Sequence, residues 1–261
     1  MYEITPALEA AGFAVARTSY DNYGVPRFLA PFPQLKRKAI ERVERNIRTA
    51  IFRYRSDTGV DPEKLSVISH SFGTYVVSQI LQNQEFAWYR VIFCGSVVRN
   101  DFDFDAIFRQ FRAPLLNDVG TKDFWPALAA SAGWGYGAVG SYGLNHPLVD
   151  TRWHHGFKHS DFLTAAFCNE FWINFLKGSP PIQGDRPVSM PLWIRTIARL
   201  PLNLIILVSS VIIIVSVIVA LAKGGILLFD LIANRTNQGA AACANLSAPT
   251  ASLEDILRCN R

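Results

Sequence analysis

Residues 65–74 read Leu-Ser-Val-Ile-Ser-His-Ser-Phe-Gly-Thr, an apolar run entering a tight turn with Ser71 at its apex. A helical pattern follows, with Val76, Val77, Ile80 and Leu81 on one side. A turn from strand into helix lifts its apex side chain clear of the sheet edge. It also sets that side chain at a helix N-terminus, where backbone N–H groups can receive a developing oxyanion. The chemistry suited to this position is nucleophilic attack by the Ser71 hydroxyl. Such a turn needs small residues two before and two after its apex, and Ser69 and Gly73 supply them.

Ser69-His70-Ser71-Phe72-Gly73 resembles the nucleophile motif G-x-S-x-G of the α/β-hydrolase family, with serine in place of the first glycine. Two further matches follow in the family's order of serine, acid, histidine. Residues 117–123, Asn-Asp-Val-Gly-Thr-Lys-Asp, are similar to the N-x-x-G-x-x-D stretch that carries the triad acid. The resemblance implies Asp123 in that role, with Asp118, nearer the strand end, as the alternative. Residues 159–163, His-Ser-Asp-Phe-Leu, are similar to the H-S-x-F-L motif that carries the catalytic histidine before the last helix. This implies His159 as general base and acid, with His146, His154 and His155 as competitors. The N–H of Phe72 would be the first oxyanion-hole donor. The family usually draws a second from a His-Gly loop, and no His-Gly pair precedes Ser71 here. The resemblance begins at the family's first helix and the strand after it, residues 4–19. It therefore implies an α/β-hydrolase-like fold lacking the N-terminal strands.

The elements expected to hold these residues alternate between strand and helix. Apolar periodicity predicts helices over 4–11, 34–55, 71–82 and 161–176, and strands over 13–16, 65–68, 90–94 and 114–119. In the second helix Ile40, Val43, Ile47, Ile51 and Tyr54 form the inward stripe, Glu41/Arg45 and Glu44/Arg48 are spaced to pair, and the basic residues read as a solvated face. Such alternation specifies an α/β fold, a mostly parallel sheet with helices on both faces. Residues 18–33 read as irregular loop. The glycine-rich stretch 133–143 lacks the Lys-Ser/Thr ending of a phosphate loop and reads either as a flexible aromatic rim or as a surface loop.

The expected organisation is a catalytic domain over 1–178, a Pro-rich linker over 179–201, a transmembrane helix over 202–222 and a tail over 223–261. Residues 202–222 carry no charge and at about 1.5 Å per residue cover a bilayer core of about 30 Å. Lys223-Gly224-Gly225 is expected to stop the span, with the short apolar stretch 226–233 either extending the helix or lying at the interface. Arg186, Arg195 and Arg199 before it outnumber Lys223 and Arg235 after it, which places the catalytic domain on the cytoplasmic side of a single-pass arrangement. The first residues lack a secretory signal, in agreement.

The net charge of +5 is spread along the chain, which gives nucleic-acid binding no support. Cysteine and histidine spacing matches no structural metal site, and no cofactor is expected. Cys94 and Cys168 read as small buried hydrophobes, whereas Cys243 and Cys259 would pair if the tail reached an oxidising compartment. Residues 252–257, with Ser252 and Asp255, are spaced as a capped short helix ending at Leu257. The combined expectation is a membrane-tethered serine esterase or lipase-like hydrolase that cleaves a small-molecule or lipid acyl ester through an acyl-Ser71 intermediate. The alternative is a catalytically inactive hydrolase-like unit acting as a membrane-anchored interaction module.

Overall fold

A computed structural model describes residues 3–18, 28, 30–83, 85–111 and 114–244, and side chains as far as residue 237. The expected pairing of Cys243 with Cys259, the capped helix through Leu257 and most of the loop over 18–33 lie outside what it describes.

The sheet is built from four short runs: β1 (Ser66–His70), β2 (Arg90–Cys94), β3 (Leu115–Gly120) and β4 (Val149–His154). They pair in parallel in the order β1-β2-β3-β4. Because side chains alternate across a strand, neighbouring residues serve opposite cores. Val91, Phe93 and Leu115 join one apolar cluster with Ala39, Val43, Val76 and Ile80, from α2 (Pro33–Thr58) and α3 (Phe72–Gln82). Ile92, Cys94 and Leu116 join another with Ile4 and Leu8 of α1 (Ile4–Ala10), and with Trp172 and Phe175 near the end of the unit. Both faces of the sheet are thus covered, and β2 is buried throughout. The chain is α/β with a parallel sheet.

Several expectations need correction. Residues 13–18 form no strand. Phe13 and Val15 pack against the core, but no described strand offers them a ladder, and a strand exists only where its backbone groups find partners. Among the described strands β1 lies at an edge of the sheet. In α2, Glu44 and Arg48 do not pair with each other but reach Asn83 and Glu85 across the turn after α3. The helix expected over 161–176 is broken. A 3₁₀ turn over Asp161–Leu163 ends at extended Thr164, whose hydroxyl accepts from Phe167 N at 3.2 Å and starts a new helix. That helix passes through a π-turn over Cys168–Trp172 before Ile173–Lys177.

The Pro-rich segment is not a free linker, and the first compact unit runs to Leu204. Asp185 N donates to Trp153 O at 2.7 Å, which lays the segment along the outer edge of β4. Two further helices, α4 (Trp125–Ala132) and α5 (Val139–Tyr142), lie between β3 and β4. Leu192–Arg199 forms a helix, α6, that packs on α4 through fully buried Ile194, and Ser131 Oγ donates to Leu200 O at 2.6 Å. Prolines delimit α6 without detaching it.

The last described helix, α7, runs without interruption over Leu202–Ala244, so the apolar stretch after Lys223-Gly224-Gly225 extends the helix. A glycine costs a helix only about 1 kcal/mol. Its part Leu202–Asn237 contains an 18-residue window with a mean hydropathy of 3.3 and no buried residues, and is long and apolar enough to cross a membrane.

Candidate active site

The C-terminal ends of the strands, where parallel α/β sheets hold their ligands, gather the residues singled out from the sequence. Ser71 stands between β1 and α3 with φ 55° and ψ −127°, and is the one non-glycine residue of positive φ among those described. That conformation is costly, on the order of 1–3 kcal/mol, and persists only where the surroundings enforce it. Here Ser71 N donates to Cys94 O at 3.1 Å. Ser71 O accepts from Thr74 N at 2.9 Å and from the Thr74 hydroxyl at 2.7 Å. The same Thr74 oxygen accepts from Val97 N at 3.0 Å, so one buried threonine ties the turn to the loop after β2. Gly73 faces Ser69, and a methyl group there would sit 3.7 Å from Ser69 Cβ, an ordinary contact. Phe72 opens α3 directly after the serine, at the positive end of the helix dipole.

Asp123 follows β3 and is wholly buried. Its Oδ1 accepts from Trp125 N at 3.1 Å, while Oδ2 faces His159 Nδ1 at 2.9 Å. A carboxylate so placed holds the proton on Nδ1 and leaves Nε2 as the basic nitrogen. The His159 side chain is 17 % exposed. Among the described residues no hydrogen bond joins Ser71 Oγ to His159. Ser71 N is bound by the carbonyl of Cys94, and the next residue, Gly95, borders the carboxylate and the imidazole. A methyl group on Gly95 would lie 2.9 Å from His159 Cε1 and Nδ1 and 3.2 Å from Asp123 Oδ2.

His70 lies beside the pair, its ring centroid 4.4 Å from that of His159. Its Nε2–H donates to the His159 carbonyl at 2.7 Å. Burial, and next the neighbouring imidazole, push His70 down to about 4, so it is neutral at physiological pH.

Of the competing residues, Asp118 and His154 pair with each other. Asp118 lies within β3 and is gripped by Arg152 through bonds of 2.8 and 2.9 Å, by His154 Nε2 at 2.9 Å and by Trp172 Nε1 at 2.8 Å. Burial raises the Asp118 carboxyl, but Arg152 and His154 outweigh it and hold the group below its ordinary value. The His154 side chain is 4 % exposed, so this second Asp–His pair is sealed, in contrast to His159. His155 is exposed and meets Arg186 O at 3.0 Å, while His146 lies 3.6 Å from Asp105.

The glycine-rich stretch is neither a mobile rim nor a surface loop. Gly137 N donates to Val97 O at 2.9 Å, Gly140 N to Ser96 O at 2.7 Å, and Ser141 Oγ to Asp123 O at 2.8 Å. A methyl group on Gly140 would come within 2.2 Å of Ser96 N, so glycine permits the backbone approach that backs the Asp123 loop. Lys36, expected on a solvated face, is buried against this stretch. Its ammonium donates to Trp134 O and lies 4.2 Å from the Tyr136 ring centroid, and burial lowers it to about 8.

Gly95 and Thr74 were not singled out from the sequence, since a lone glycine after a strand and a threonine in a first helical turn are commonplace. Cys94 and Cys168 are buried free thiols, the first pushed well above its ordinary range by burial and the second raised to about 11 by the same cause. Among the described residues no cluster of His, Cys, Asp or Glu is arranged to hold a metal. No protein-family model matches the chain, and no curated protein or solved structure is detectably similar to it.

Proposed function

We propose that the chain is a membrane-tethered serine hydrolase of α/β-hydrolase type, with Ser71 as nucleophile, His159 as general base and acid, Asp123 as the orienting carboxylate and the Phe72 N–H as oxyanion donor. The observation that carries the reading is the strained Ser71 turn beside a buried carboxylate bonded to a partly exposed imidazole, both closing on Gly95. In the reaction Ser71 Oγ attacks an ester carbonyl while His159 Nε2 takes its proton. The oxyanion forms against the α3 N-terminus, and the imidazolium returns its proton to the departing alcohol. Water, deprotonated by the same imidazole, then adds to the acyl carbonyl, and the imidazolium gives its proton to Ser71 Oγ as the acid leaves. A hydrogen bond between serine and imidazole that is long in the free protein and tightens on substrate binding is usual for such sites.

The second reading, a catalytically inactive unit that serves as a membrane-anchored interaction module, draws on the outer edge of β1, which no described strand covers. Hydrolysis of p-nitrophenyl esters by the full chain in lipid nanodiscs separates the two. The first reading expects turnover that falls by about 10³-fold or more in Ser71→Ala. Turnover absent from wild type, or equal in both, favours the second.

A further inference from the structure

One surface of the first unit remains unused by this chemistry. Along α6, Trp193, Ile197 and Leu200 recur at helical spacing on a stripe flanked by exposed Leu192, with Trp193 53 % exposed. Trp193 lies 6.0 Å from the ring of Phe124, Phe124 lies 5.0 Å from Trp125, and Trp125, itself 50 % exposed, lies 6.2 Å from the His159 ring. An aromatic path therefore runs from α6 to the mouth of the candidate site. Arg195 and Arg199, one turn apart, line a recess with Asn100 and Tyr142, and among the described residues neither forms an ion pair. No Asp or Glu occurs between Arg186 and Lys223. Only Leu200 and Pro201 separate α6 from α7, so α6 lies within about 10 Å of chain from the start of a helix apolar enough to cross a bilayer.

We propose that this face, α6 with Phe124 and Trp125, seats the unit on an anionic lipid surface, the tryptophans entering the interface and the Arg195–Arg199 recess receiving headgroup phosphate. Tryptophan with unpaired arginine is the pairing that the membrane interface selects, since an amphipathic ring sits at headgroup depth and a guanidinium meets phosphate through parallel hydrogen bonds. Anionic lipid also attracts basic groups held close to a spanning segment. The seating itself does not depend on catalysis. That it would present His159 to acyl chains at the interface rests on the function proposed above.

All six tryptophans of the chain precede α7, so their fluorescence reports on the first unit alone. Full chain is reconstituted in vesicles of dibrominated phosphatidylcholine with and without about one third phosphatidylglycerol. Wild type is expected to be quenched by the bromolipid, more strongly with the anionic lipid. Trp125→Phe/Trp193→Phe is expected to lose most of the quenching, and Arg195→Gln/Arg199→Gln its dependence on the anionic lipid. Quenching that is absent from wild type in both vesicles, or unchanged in the double tryptophan variant, would overturn the proposal. The wild-type comparison needs no variant to fold, and Ser71→Ala is expected to be quenched as wild type whether or not the chain is an enzyme.

Discussion

Gly95, at φ 54° just past the end of β2, borders both the carboxylate and the imidazole. A methyl group there must push into the His159 ring, so Gly95→Ala is expected to lower ester turnover by about 10²-fold, the effect of a catalytic group displaced by about an ångström, while the chain stays folded. Turnover equal to wild type would show that the imidazole does not work from this position. Asp123→Asn keeps the shape of the pair but not its charge, and a loss of about 10³–10⁴-fold in kcat is expected. His70 gives a pH signature of a different kind. Its folded value of about 4 lies below the ordinary 6.5, so between those limits the unfolded chain binds a proton that the folded chain does not. Stability present above pH 6.5 is then lost as pH falls towards 4, and urea midpoints should show a slope there that flattens in His70→Gln. At this scale the tight turn at Ser71 and the pairing of Asp123 with His159 were legible because each residue sits in a local motif. Gly95 and Thr74 were not, because what they do depends on residues far along the chain.

Among the elements, the strands that end inside the core were the most legible. β2 is apolar from Val91 to Cys94 and β3 opens on Leu115-Leu116, and both strands are buried along their length, although Asn117 and Asp118 interrupt the apolar residues of β3. Residues 13–16 are also an apolar run yet stay irregular, since a strand is a property of a pair and no single run declares its partner. The same limit hid the break at Thr164 and the π-turn after it, which accompany the bond from Trp172 to Asp118. Asp118→Ala would strand Arg152 in the interior and is expected to destabilise the unit by about 3–5 kcal/mol, read as a lowered urea midpoint. A loss below 1 kcal/mol would mean that the cluster is not closed to water. Proline content suggested a linker where α6 in fact packs, because composition reports where helices stop and not what holds them. Ile194→Ala should show the attachment directly, at about 2–5 kcal/mol.

For the molecule as a whole, a compact α/β unit is followed by a helix long and apolar enough to cross a membrane. The full chain is expected to remain with the membrane pellet after alkaline carbonate extraction, and release to the supernatant would contradict the reading of α7 as a span. Whether the unit is an enzyme rests on one hydroxyl. The direct measurement is treatment of the reconstituted full chain with a fluorophosphonate, digestion with trypsin and mass analysis of residues 65–90. The account predicts a phosphonyl adduct on Ser71 that is lost in Ser71→Ala and strongly reduced in His159→Ala. An unmodified Ser71 in folded wild-type chain would contradict it.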